Sequence, residues 1–185
     1  EEREYTRAYR ESYCGSTKKK AGWDCMRHYE IVASGAVPFF DEDPTSSPSS
    51  TLAFWPKRLL RDLRTWPGVH QNNGTVDVDV LDASGSYGKL AAGLLTYARE
   101  RLTTEALARY ILETMGQVQA RNVLILSAHP APDFLRESVV HGFRQRLGVG
   151  AVDFIQPRHL YEPRVAAPFD QAARSELYGN GFTYA

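Results

Sequence analysis

The tightest constraint on the fold of this chain is the pattern at 122–155. Residues 122–127 (NVLILS) form an unbroken apolar run, the signature of a strand buried on both faces. Residues 128–132 turn, Asp133 can cap a helix, and Leu135, Val139, Phe143 and Leu147 recur every fourth position. Gly148 and Gly150 stop that helix, and 151–155 supplies a second apolar run. Strand, helix and strand within about 35 residues predict a βαβ unit. Such a sheet cannot end after two parallel strands with one face covered. Only an aromatic, Gly-rich stretch (177–185) closes the sequence, so the predicted lobe is incomplete in this chain.

A second α/β signal lies earlier. Asp24 is placed to cap a helix running to Ser34, with Cys25, Tyr29, Val32 and Ala33 as its apolar stripe. Arg27, Glu30 and Ser34 share another face, and Gly35 fits the stop. Residues 36–40 (AVPFF) read as a short buried strand, with Pro38 at its start or on an edge. Upstream, Tyr5, Tyr9 and Tyr13 lie four apart, a helical spacing, and 14–22 reads as a loop holding Lys18, Lys19 and Lys20. Downstream, 41–50 is a polar Pro/Ser loop, Pro56 opens a short helix, and 66–74 is a loop. The alternation at 76–80 (VDVDV) suggests an exposed edge strand. A helix over 87–102 carries Leu90, Leu94, Ala98 and Leu102 on one face. Thr103 or Thr104 then caps another, with Leu107, Tyr110, Ile111 and Met115 as its stripe and Gly116 as its end. The predicted class is α/β with parallel-sheet lobes, divided at 1–118 and 119–185.

Charge and cysteine content narrow the function classes. Lys plus Arg and Asp plus Glu are both 22, so the basic excess of a nucleic-acid binder is missing, and no basic face carries interleaved aromatics. Hydrophobic residues at 43% suffice for a packed core. No apolar run approaches the roughly 18 residues of a membrane span. The opening Glu1-Glu2-Arg3-Glu4 has neither an initiator Met nor an apolar leader, which suggests a processed chain or a piece of a longer one. Cys14 and Cys25 are too far apart for a metal knuckle or redox pair, and the five histidines lack ligand spacing, so no metal is expected. Asp77, Asp79 and Asp82 read as a wet strand face.

The best candidate site is 16–30 (STKKKAGWDCMRHYE). Free N–H groups and the positive dipole end at a helix start attract anions, and Ser16, Thr17, Lys18, Lys19, Lys20 and Arg27 would surround them. Glu30 could accept hydrogen bonds from sugar hydroxyls, and Trp23 could stack on a ring. A solvated Lys run beside an ordinary helical Arg–Glu pair fits the same residues, and spacing alone leaves both open. Trp55 and Trp66 suit core packing. Cys25 and His28 read as packing or hydrogen-bonding residues.

Residues 22–40 (GWDCMRHYEIVASGAVPFF) resemble the donor-lobe motif of GT-B glycosyltransferases of the exostosin-like and spore-maturation-like type. The pattern R-x-Y-E-x-x-x-x-G-x-x-P is met by Arg27, Tyr29, Glu30, Gly35 and Pro38. The resemblance extends over about 50 residues, 5–57. It implies Rossmann-like lobes, a UDP- or GDP-type nucleotide sugar as donor and an unidentified acceptor. It also implies that residues 16–20 and Arg27 lie near the diphosphate and Glu30 near hydroxyls. Residues 123–133 and 177–184 resemble the opening of a companion lobe. In GT-B enzymes the acceptor lobe comes first; here the donor-type segment does, implying tandem lobes or a piece from the middle of a longer protein.

His129 and Asp133 flank the turn after the strand at 122–127, where α/β sheets bind ligands, and could form a general-base pair. An exposed turn histidine beside an N-capping aspartate is the simpler reading. That turn lacks a Gly-rich phosphate fingerprint, so no dinucleotide cofactor is expected. Two functions follow: sugar transfer from a nucleotide-sugar donor, or a non-catalytic glycosyltransferase-like subunit of a larger assembly.

Overall fold

The computed structural model of the chain describes residues 2–19, 22–70, 75–128, 132–156 and 160. It is mixed α/β with small two-stranded sheets, two of them parallel. Contacts divide it into two compact units, Glu1–Leu102 and Thr103–Ala185. No helix among the described residues is long and apolar enough to cross a membrane.

The first unit opens with helix α1 (Glu2–Arg10), strand β1 (Cys14–Thr17), helix α2 (Met26–Ala33) and strand β2 (Val37–Phe40). β1 and β2 pair in parallel from Cys14↔Val37 to Thr17↔Phe40. Residues 14–17 are therefore a strand and not the start of a loop. CGST carries no apolar run to announce it; only Gly15 and Thr17 face inward, and pairing with the apolar β2 imposes the extended form. Gly15 is required by closeness: a Cβ there would lie 2.7 Å from Ile31 of α2, so the crossover helix can sit down on the strand. The cap of α2 also differs from expectation. Cys25, in extended conformation and without a side-chain cap bond, is the N-cap in place of Asp24. Its buried face is His28, Ile31 and Val32, while Ala33 is exposed.

The remaining elements close the core over this unit. They are α3 (Lys57–Asp62), a 3-10 turn (Leu63–Thr65), a two-residue hairpin pairing β3 (Val69–His70) with β4 (Thr75–Val76), α4 (Val78–Ala83) and α5 (Ser86–Arg101). Trp23, Val32, Val37, Phe40, Leu52, Trp55, Leu60, Leu63, Leu90 and Leu94 form one buried cluster. α5 uses the stripe expected of it, Leu90 and Leu94 buried and Ala98 and Leu102 packed at the margin. The alternating 76–80 segment is mostly helix. Asp77 accepts from the Val80 N–H at 3.1 Å and so starts α4, a local bond that outcompetes a weakly specified edge strand.

The second unit contains α6 (Thr104–Thr114), β5 (Val123–Leu126), α7 (Phe134–Leu147), a 3-10 turn (Gly148–Gly150) and β6 (Ala151–Phe154). β5 and β6 are parallel, Val123↔Ala151 to Leu126↔Phe154, and α7 connects them. This is the expected βαβ unit. α6 packs on α7, so the division falls at 102/103, ahead of the 118/119 boundary read from sequence. The approach is close: a Cβ on Gly142 would lie 2.0 Å from the Thr104 carbonyl oxygen.

Two side-chain patterns depart from expectation. In α7 Leu135 is 68% exposed, and the covered residues include Val140 and Phe143. A fourth-residue spacing overshoots a helical turn by about 40° per step, which carries Leu135 about 80° away from Phe143. In α6 Ala106, Ala108 and Leu112 are buried, whereas Tyr110 and Met115 are exposed. Among the described residues the strand pair is covered on one face only. Val123, Ile125, Ala151 and Asp153 face the helices, and Leu124, Leu126, Val152 and Phe154 face outward.

Candidate functional site

The β1–α2–β2 crossover brings the predicted anion-binding residues to the carboxyl end of a parallel strand pair. Ligands of open α/β sheets bind there because strand ends and helix starts leave backbone groups unfilled. Ser16, next to last in β1, lies on its exposed face, its hydroxyl 3.4 Å from Asp41 Oδ1 just beyond β2. Thr17 points the other way. It is 2% exposed, and its Oγ1 lies 3.0 Å from His28 Nε2. It holds α2 to the sheet instead of facing a ligand. Lys18 and Lys19 follow immediately and are exposed; the Lys19 ammonium stands 5.9 Å from the ring centroid of Trp23. Trp23 itself is 7% exposed and belongs to the core, so its ring face is not open for stacking. Lys20 lies outside the described residues.

His28 is the centre of the buried side of this junction. Its ring packs against Phe40 and Trp55 at centroid distances of 4.8 and 5.8 Å. Nε2 is 3.4 Å from Cys25 Sγ as well as near Thr17, and Nδ1 is 4.0 Å from Asp24 Oδ1. Burial, aided by the neighbouring Arg27 charge, depresses its pKa to about 4. The imidazole is neutral at pH 7 and serves as a hydrogen-bonding strut. Cys14, in the adjoining strand, has its thiol pushed up to about 11 by burial.

Arg27 and Glu30 lie one turn apart on the outer side of α2, and α1 reaches them. The Tyr5 hydroxyl donates to Glu30 Oε2 at 2.6 Å, and the Tyr5 side chain also hydrogen-bonds Arg27. Tyr9 donates to the same phenol oxygen at 3.4 Å, with the two rings edge to face at 5.0 Å. Burial and the Glu30 hydrogen bond raise the Tyr5 pKa far above its ordinary value. The Tyr5 phenol thus takes the Glu30 carboxylate oxygen that the sequence reading reserved for ligand hydroxyls.

Sequence reasoning missed three participants. Tyr5 was legible only as a helical tyrosine row. Asp41 and Arg64 carried no signal at all. Arg64 donates to the Phe40 and Asp41 carbonyl oxygens at 2.6 and 2.8 Å and closes the exposed end of β2.

The second candidate pair is described at one of its residues only. His129 lies outside the described residues. Asp133 accepts from the Arg136 N–H at 2.8 Å, while its own N–H donates to Glu137 Oε1 at 3.0 Å, the behaviour of an N-cap. Among the described residues no group of three His, Cys, Asp or Glu side chains is arranged to hold a metal ion. Asp77 is a cap, and Asp82 accepts from the Tyr13 hydroxyl at 2.7 Å.

No protein family, curated protein or solved structure matches the chain in comparison.

Proposed function

We propose that the first unit is the donor lobe of a GT-B-type, Rossmann-like glycosyltransferase that binds a UDP- or GDP-type nucleotide sugar and transfers its sugar to an acceptor. In this reading the diphosphate lies over Lys18, Lys19 and the amino end of α2, with Ser16 at its edge. Catalysis of this type asks the protein chiefly to hold leaving-group charge against fixed positive groups. Arg27 and Glu30 would meet the ribose or sugar after parting from Tyr5. No residue is assigned as the base.

One observation carries the reading: two exposed lysines directly follow the carboxyl end of a parallel strand, in the connection that leads to its crossover helix. The resemblance of residues 22–40 to the donor-lobe motif adds the ligand class. Thermal unfolding with UDP, GDP and their sugars at millimolar concentration tests it. Ligand that binds the native state alone raises the transition temperature, by about 2.7 kcal/mol of stabilisation at a hundredfold excess over Kd. Lys18→Ala with Lys19→Ala is expected to abolish the shift without lowering the ligand-free transition. Absence of a shift with every nucleotide defeats the proposal.

The Tyr5 contacts favour a second reading, a non-catalytic lobe in which Arg27 and Glu30 fasten α1 to α2. Arg27→Ala with Glu30→Ala would then lower stability and leave the working behaviour of the folded protein intact.

A further inference from the structure

The outer face of the β5–β6 sheet is a surface without a described neighbour. Leu124, Leu126, Val152 and Phe154 are 60, 72, 49 and 64% exposed and stand side by side across the paired strands. Parallel strands are found with both faces covered, because their crossover connections put packing elements on each side. Here both neighbouring helices, α6 and α7, lie on the opposite face.

The chain that follows β6 supplies an occupant for the patch. The four side chains leave open on the order of 500 Å² of apolar surface, as large as the biggest patches on ordinary monomers. A segment of the same chain binds such a patch at an effective concentration in the millimolar range, which favours it over a separate partner. Such a segment exists. β6 ends at Phe154, and residues 161–185 follow after a short connection. Within them Phe169, Ala172, Ala173 and Leu177 recur at the spacing that places apolar side chains on one side of a helix, and Tyr178, Phe182 and Tyr184 come next. Consecutive elements of a fold are usually neighbours in space.

We infer that residues 161–185 dock on the outer face of the β5–β6 sheet and complete the second unit as a three-layer lobe, with this chain supplying its own cover. The inference is independent of any nucleotide binding in the first unit.

The test places a photo-crosslinker, p-benzoylphenylalanine, at the exposed Leu126 of the full chain and maps the products by peptide mass spectrometry. Crosslinks within one chain to residues 161–185, at a yield independent of protein concentration, are expected. Crosslinks between chains, crosslinks to residues 1–102, or none at all overturn the inference. A second measurement uses Phe169→Asp and Leu177→Asp in the full chain with an environment-sensitive apolar dye. Docking predicts a several-fold rise in dye fluorescence with unchanged helical circular dichroism. Fluorescence equal to that of the parent chain contradicts it.

Discussion

At the scale of single residues, His28 shows how burial decides chemistry. An imidazole beside a carboxylate and a thiol has the composition of a catalytic group, yet its neighbours make it a neutral strut. The pH dependence of stability follows. Its folded pKa of about 4 lies below the unfolded value, so the unfolded chain binds the proton more readily between those limits. The contribution is complete above about pH 6.5 and is lost as pH falls toward 4, a change on the order of 3 kcal/mol. Urea unfolding of the parent chain and of His28→Asn should show a stability gap that narrows over that interval; a constant gap would mean the imidazole titrates normally. Tyr5 offers a second residue-level test. Tyr5→Phe removes the hydroxyl that donates to Glu30. In the nucleotide-sugar reading it should raise UDP affinity several-fold in calorimetric titration, because ligand hydroxyls no longer compete with the phenol. In the structural reading it costs about 1 kcal/mol of stability and nothing else.

Among the elements, the long helices and the caps of α6 and α7 were legible because their signals are local, while the Asp24 cap expected for α2 was not realised. Asp133 caps α7 and Thr103 caps α6 as their sequences suggest, each accepting a hydrogen bond from the first turn. Asp133→Ala should cost about 1 kcal/mol, read from denaturant midpoints. β1 was hidden because a polar four-residue strand is specified by its partner β2 and not by its own composition. The buried faces of α6 and α7 were misjudged for a related reason: which side of a helix is covered depends on its neighbours. Gly142 records that dependence, since Thr104 of α6 fills the space a side chain would need. Gly142→Ala should force the two helices apart and destabilise the second unit by about 1–3 kcal/mol, with the loss appearing as faster amide exchange in α6 and α7. Of the candidate site, Lys18 and Lys19 were recognisable from their charge and their position before a helix. The inward turn of Thr17, the burial of Trp23 and the claim of Tyr5 on Arg27 and Glu30 are set by tertiary packing that no window of sequence contains.

For the whole molecule, two α/β units each built on one parallel crossover give two carboxyl-end edges, and the sequence after the first strand, but not after β5, carries a lysine pair. We therefore propose ligand recognition for the first unit and packing for the second. The most direct measurement is a titration of the isotope-labelled full chain with UDP and with GDP, followed through backbone amide resonances. Shifts concentrated at residues 16–19 and 22–30, saturating at millimolar ligand or below and lost in the Lys18→Ala, Lys19→Ala variant, are the predicted result. Unmoved resonances in that segment, or shifts confined to the second unit, would contradict a diphosphate site at the start of α2.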